Sequence, residues 1–235
     1  RLEPELAASA DIVLANSTRF AAELQPYNPH TYPIETGVNL ELYNPAKKYE
    51  TPGDMQDIPR PIIGYMGTIN STRLDGELLY QIISQRPDYS FVFTGPEDDI
   101  FRRNRIHSLK NAYFTGQKKV DELPAYIAAY DVCINPQMVN EITDGNYPLK
   151  IDEYLAMGKP TVATSTHTMR NIFAGHTHLA INPEEWLAAI DRAVTEADDK
   201  ELAKQRIAFA ETHSWGHSVK KIYDIIDKFL KERTT

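Results

Sequence analysis

A single cysteine in 235 residues leaves this chain without a disulfide framework. Cys133 lies inside the apolar run Val132-Cys133-Ile134, where a small buried strand residue is expected, and a reducing compartment follows from that usage. Basic residues are also short: 25 Lys and Arg stand against 33 Asp and Glu, a formal net charge of -8. General nucleic-acid binding asks for a basic face, so that class is set aside. No apolar run approaches the roughly 18 residues of a membrane-crossing helix, and no signal peptide is visible. A cytoplasmic location is expected, with room for work at the membrane through another part of the full protein. G-x-G-x-x-G, P-loop and G-x-S-x-G patterns are all missing, which removes the dinucleotide and triphosphate fingerprints and the nucleophile elbow. His213 and His217 are four apart, but no third ligand is spaced to join them, so no metal site is expected.

With 42% hydrophobic and 25% charged residues, the chain can bury the core of one or two globular domains. It opens at Arg1 with a helical pattern already under way and no initiator Met, so a piece of a longer protein is expected. Asn16-Ser17-Thr18 and Asn70-Ser71-Thr72 match the glycosylation triplet, which carries no meaning in the cytosol.

Short apolar runs alternate with helical patterns. Strands are expected at 12–15, 62–66, 91–94, 112–115, 132–134, 161–164 and 177–181. Helices are expected around Leu6, from Ser17, along the Leu74, Leu78, Leu79, Ile82 and Ile83 stripe, over 121–130, and over 184–195 behind an Asn182-Pro183 start. Residues 32–45 read as an extended connection, and Asp98 through Arg105 as a short helix at most. The C-terminal run carries an apolar stripe of Ile222, Ile225, Ile226, Phe229 and Leu230, expected to dock on the protein's own body. Most strands are continuous apolar runs, as doubly covered strands should be. The fold expected is α/β, a Rossmann-like doubly wound parallel sheet.

In such sheets ligands bind beyond the carboxyl ends of the strands. Three strand ends carry glycine: Gly64-Tyr65-Met66-Gly67-Thr68, Thr94-Gly95-Pro96 and Thr115-Gly116-Gln117. A fourth segment, Asn146-Tyr147-Pro148-Leu149-Lys150, turns into a helix bearing Glu153 and ends at Gly158-Lys159-Pro160. A turn feeding a helix N-terminus offers N–H groups and a positive dipole end, suited to a phosphate or a sugar hydroxyl.

Four blocks in order carry a resemblance: Gly64 to Gly67, Phe93 to Pro96, Tyr113 to Gly116 with Asp121-Glu122-Leu123, and Tyr147 through Pro160. Together they resemble the C-terminal half of a two-domain (GT-B) glycosyltransferase of the broad family 4 type. Ala10 to Ser17 and Gly37-Val38-Asn39 resemble the end of that family's N-terminal domain and the link between domains. The resemblance implies three parts: residues 1–45 as that remnant and link, 46–210 as the nucleotide-sugar donor domain, and 211–235 as a docked helix.

It further implies a nucleotide-diphosphate sugar as donor, held at Gly67, Thr68, Arg73, Thr94, Gly95, Gly116, Gln117, Lys118, Asp144, Asn146, Tyr147, Pro148, Leu149, Lys150 and Glu153. Arg73 would neutralise the departing diphosphate and Glu153 would accept the ribose hydroxyls. Backbone groups near Gly116 and Gln117 would meet the base, and N–H groups from Asn146 to Leu149 the sugar and phosphates. Transfer would be retaining and need no metal or other cofactor, toward a saccharide or lipid-linked acceptor held mainly by the upstream domain. Two departures stand out. The family often has Glu where this chain has Gly145, with Asp144 adjacent; and it usually places two basic residues after the first glycine-rich strand, where only Arg73 stands. Lys150 is expected to supply the second charge. A nucleotide-sugar epimerase of similar fold, using Glu153, Asp144 and Glu141, and a non-catalytic module that kept the fold are the alternatives.

Overall fold

The computed structural model describes residues 2–140 and 143–233; Glu141, one carboxylate of the epimerase alternative, lies outside the described residues. A first unit comprises α1 (Leu2–Ser9), β1 (Val13–Ala15), α2 (Thr18–Leu24) and β2 (Thr31–Pro33), with β1 and β2 paired in parallel. Ser17 caps α2 by accepting the Phe20 N–H. β2 overlaps the start of the stretch read as connection. It has three residues ending in proline, and its strand character comes from pairing with β1 rather than from its own composition.

The second unit is a six-stranded parallel sheet in the order β5-β4-β3-β6-β7-β8. Its strands are β3 (Ile62–Met66), β4 (Ser90–Thr94), β5 (Ala112–Gly116), β6 (Val132–Asn135), β7 (Thr161–Thr164) and β8 (His178–Ala180). Helices α3 (Gly76–Gln85), α4 (Leu123–Ala129), α5 (Leu149–Ala156), α6 (Pro183–Thr195) and α7 (Lys200–Thr212) cover it, and α8 (Trp215–Arg233) ends the chain. The segment after Asp98 forms two 3-10 turns, Phe101–Arg103 and Arg105–Ser108.

Side chains alternate across the sheet into two cores. Ile62 and Met66 join Tyr130, Ile151 and Leu155 on the α4 and α5 side. Ile63 and Tyr65 join Leu79, Ile82 and Trp186 on the α3 and α6 side. β3 and β4 are buried at every residue, which is why they read as unbroken apolar runs. Strand order reverses between β3 and β6, so the switch-point crevice opens at their carboxyl ends.

The chain crosses between the two units twice, and the crossings pair: the Val38 N–H donates to the His213 carbonyl at 2.9 Å. α8 then returns to the first unit. His30 stacks edge-on against Phe229, and Arg233 meets Asp11 at 2.7 Å. Phe229 of the α8 stripe is therefore buried against the first unit, whereas Leu230 is 55% exposed.

Candidate functional site

An open cleft of about 850 Å³ lies along the carboxyl edge of the sheet, floored by the loops after β3, β4, β5 and β6 and closed on one side by α5. The loop after β4 meets the loop after β3 backbone to backbone: a Cβ on Gly95 would stand 2.0 Å from the Gly67 carbonyl oxygen, and Gly95 has φ +147. Only glycine fits there.

Arg73 sits on a cross-braced loop. The Asp98 carboxylate accepts both the N–H and the hydroxyl of Ser71 at 2.7 Å, and the Phe101 N–H at 2.6 Å. The Asn70 carbonyl accepts the Arg73 N–H at 3.0 Å, and the Arg73 carbonyl accepts the Met138 N–H at 2.8 Å. The Arg73 guanidinium has no ion-pair or hydrogen-bond partner among the described residues, and it lines the cleft.

α5 supplies the opposing groups. It is anchored by Tyr154, whose hydroxyl accepts the Met66 N–H at 2.8 Å, which fixes the helix against the end of β3. Lys150 then reaches across, donating from Nζ to the Tyr65 hydroxyl at 2.6 Å and lying 4.0 Å above that ring. A Cβ on Gly67 would come within 2.7 Å of Lys150 Nζ. Glu153 lies one turn further along. Burial pushes its carboxyl above the usual carboxylate range, against the opposing pull of the Tyr43 hydroxyl and the Lys150 ammonium. Two cations and a half-buried carboxylate thus face one crevice.

The helix N-terminus is bare of any side-chain cap, because Pro148 stands at the N-cap position. The turn itself offers fewer N–H groups than expected. Pro148 has none, and the N–H groups of Asn146 and Leu149 go to the Thr143 and Tyr147 carbonyls at 3.3 and 3.2 Å. Of the expected donor residues, Gly67, Thr68, Arg73, Thr94, Gly95, Gln117, Lys118, and Asn146 through Lys150 with Glu153 all line the cleft. The Thr94 hydroxyl is nevertheless taken up internally by Tyr130 and Thr115 at 2.6 and 2.8 Å. Lys118 donates to Asp54 at 2.7 Å.

Two expected residues stand apart from the cleft. Gly116 closes a bulge between β4 and β5 with φ +72. Asp144 turns toward the first unit, accepting the His167 N–H at 2.8 Å and lying 3.8 Å from Arg19. The space beside Gly145 is filled by the Arg19 side chain, whose Cδ would stand 2.6 Å from an added Cβ, so a longer residue there would require that side chain to shift. Among the described residues no histidine lines the cleft. His213 bonds to Asp152, and His217 to the Ser214 hydroxyl at 2.9 Å.

Sequence reasoning passed over Tyr43, Tyr65, Asn70, Asp98 and Gln137. Tyr43 lies in the stretch read as connection, and no periodicity marks it. The only signal for Asp98 was its place just beyond the Thr94-Gly95-Pro96 strand end.

A model of the glycosyl transferases group 1 family matches residues 60–196. TuaH of Bacillus subtilis (strain 168), named for a glycosyltransferase role in teichuronic acid biosynthesis, is 27% identical over 188 residues, covering 77% of this chain and 47% of that protein. Anabaena Alr3699/HepE, solved with UDP and glucose, aligns over 97% of this chain and 66% of its own, with a TM-score of 0.74 at 17% identity. Sucrose-phosphate synthase of Thermosynechococcus elongatus aligns over 98% and 61%, with a TM-score of 0.74 at 20% identity. The chain therefore spans about half of TuaH and under two thirds of the synthase. Its fold is that of the Rossmann-like C-terminal half of the two-domain glycosyltransferases.

Proposed function

The chain belongs to the glycosyl transferases group 1 family, and on that premise we propose that it is the donor-binding half of an enzyme that transfers a sugar from a nucleotide-diphosphate sugar. The observation that carries the reading is the meeting of Arg73, Lys150 and Glu153 on one switch-point cleft large enough for such a donor.

In this proposal Arg73 and Lys150 bind the diphosphate and stabilise it as it departs. The leaving group gains negative charge in the transition state, where preorganised cations act most strongly, and the reaction needs no metal for that task. Cross-bracing by Asp98 and anchoring by Tyr154 hold both cations before the donor arrives. Glu153 accepts the ribose hydroxyls, and the floor near Gln117 and Lys118 meets the base. Transfer proceeds with retention to a saccharide or lipid-linked acceptor presented by the family's N-terminal domain, so this chain alone binds donor without transferring it. UDP in the HepE complex and the teichuronic acid role in the name of TuaH support a nucleotide sugar and a polysaccharide pathway. The epimerase alternative gains no support, since Glu153 is the one carboxylate among the described residues that lines the cleft.

Melting temperatures with UDP, GDP, ADP, CDP and dTDP test the reading, because a ligand that binds only the folded state raises them by mass action. At a concentration about 100-fold above Kd the stabilisation should be about 2.7 kcal/mol for one of the five. Arg73→Ala, Lys150→Ala and Glu153→Ala should each reduce it. No response to any nucleotide, or an undiminished response in all three variants, would sink the proposal.

A further inference from the structure

Asp152 lies two residues after Lys150 and next to Glu153, yet it faces away from the cleft and is 0% exposed. Its Oδ2 accepts the Tyr147 hydroxyl at 2.5 Å. Its Oδ1 stands 3.0 Å from Nδ1 of His213, an arrangement in which the imidazole donates. The two partners come from different parts of the molecule. Tyr147 belongs to the turn before α5 and lines the cleft. His213 belongs to the second crossing, and its own carbonyl accepts the Val38 N–H of the first. The crossings are pressed together here: a Cβ on Gly37 would stand 2.2 Å from the Trp215 nitrogen.

A carboxylate with no access to water is expensive to keep, and an apolar residue at the same helix position would pack without that penalty. Burial pushes the Asp152 carboxyl up, the His213 and Tyr147 bonds pull it back, and Glu35 adds repulsion. Phe173 and Phe209 wall the imidazole, with ring centroids 6.0 and 4.6 Å away. What this costly group does is tie one residue of the cleft to one residue of the crossing.

We propose that Asp152 and His213 are positioning residues that hold Tyr147, and with it the turn at 146–149, in the orientation that receives the donor. Donor affinity thereby depends on how the crossing is seated between the two units. This inference rests on the donor-binding reading above. Neither residue touches the donor; both act through the Tyr147 hydroxyl.

The test measures dissociation constants for whichever of the five nucleoside diphosphates stabilises the wild-type chain most, well below each variant's melting temperature. Tyr147→Phe, Asp152→Asn and His213→Ala should each weaken binding roughly tenfold, the scale of a small misplacement in a preorganised site. The Tyr147→Phe/Asp152→Asn double variant should be no weaker than either single one, because residues acting through one bond are not additive. His213→Gln, which can donate to the same oxygen, should bind within about threefold of wild type, less than half of the tenfold step on a free-energy scale. Unchanged affinity in the single variants, or strictly additive losses in the double, would overturn the inference. Should Asp152→Asn fail to fold, Tyr147→Phe and His213→Ala probe the two ends of the chain of bonds, and unchanged affinity in both overturns it equally. Binding lost in Arg73→Ala but intact in these variants overturns the inference alone. A wild-type chain that binds none of the nucleotides overturns the donor reading along with it.

Discussion

Glu153 is held where its charge is disfavoured. Burial raises its pKa, and the Tyr43 hydroxyl and Lys150 compensate only in part. Such perturbed groups in clefts are candidates for function, since the fold tolerates them for reasons other than stability. The sign of the stability effect follows. A carboxyl whose folded pKa is raised begins to weigh against the folded state as pH rises past its unfolded pKa, does so fully above the folded pKa, and has no such effect when both states are protonated. Glu153→Gln should therefore raise the melting temperature of the unliganded chain at pH 7 by about 2–4 °C per kcal/mol relieved, and the difference should close as pH falls to about 4. Thermal melts across that range check it, and an equal gain at both ends would contradict the assignment. If Glu153 accepts the ribose hydroxyls as proposed, nucleotide affinity should fall as pH drops through the Glu153 pKa, which titrations across pH would read. None of this pairing is written in the local sequence: Tyr43 lies 110 positions before Glu153 on a stretch without periodicity, and Asp152 meets a histidine 61 residues away.

At the scale of elements, α5 shows what sequence does specify. Its end is set by Gly158 at φ +71, whose N–H donates to the Leu155 carbonyl at 2.8 Å, followed by Lys159 N–H to Tyr154 at 3.0 Å. Lys159 then turns its ammonium onto the Ala128 and Tyr130 carbonyls at 2.8 and 2.6 Å, satisfying the end of α4. The Gly-Lys-Pro break is thus a double stop, legible because each residue type has one local task. Gly158→Ala should cost about 1–2 kcal/mol for the left-handed backbone, read as a lower denaturation midpoint with an unchanged m-value. An unchanged midpoint would refute that role. β2 and α7 were not legible for opposite reasons. β2 is too short to carry a pattern and exists through its partner. α7 buries Arg206 among its inward positions, paired with Glu196 at 2.6 Å, and a charged core residue breaks the apolar stripe a reader looks for. Its start was marked all the same: Asp199 accepts the N–H groups of Glu201 and Leu202. The three glycine-bearing strand ends were legible because ligand-facing loops in this architecture sit at one edge, and the strand pattern alone fixes which edge.

In the whole molecule the first and last described helices, α1 and α8, both meet in the first unit. α8 returns to the first unit through Phe229 on His30, Arg233 on Asp11, and Lys221 on Glu35 at 3.0 Å. The paired crossings at Val38 and His213 are the joint between that unit and the six-stranded sheet, with the turn before α5 tied to it through Asp152. No helix of the described residues is long and apolar enough to cross a membrane. On the proposed function this chain grips a nucleotide by its diphosphate through Arg73 and Lys150. Calorimetric titration of the 235-residue chain with one nucleoside and with its 5′-diphosphate, the base chosen from the thermal panel, tests it most directly. The account predicts that the diphosphate binds at least about tenfold tighter, a difference of about 1.4 kcal/mol, and that Arg73→Ala removes the advantage. Equal affinity for the two ligands, or a diphosphate preference that survives in Arg73→Ala and Lys150→Ala, would contradict it.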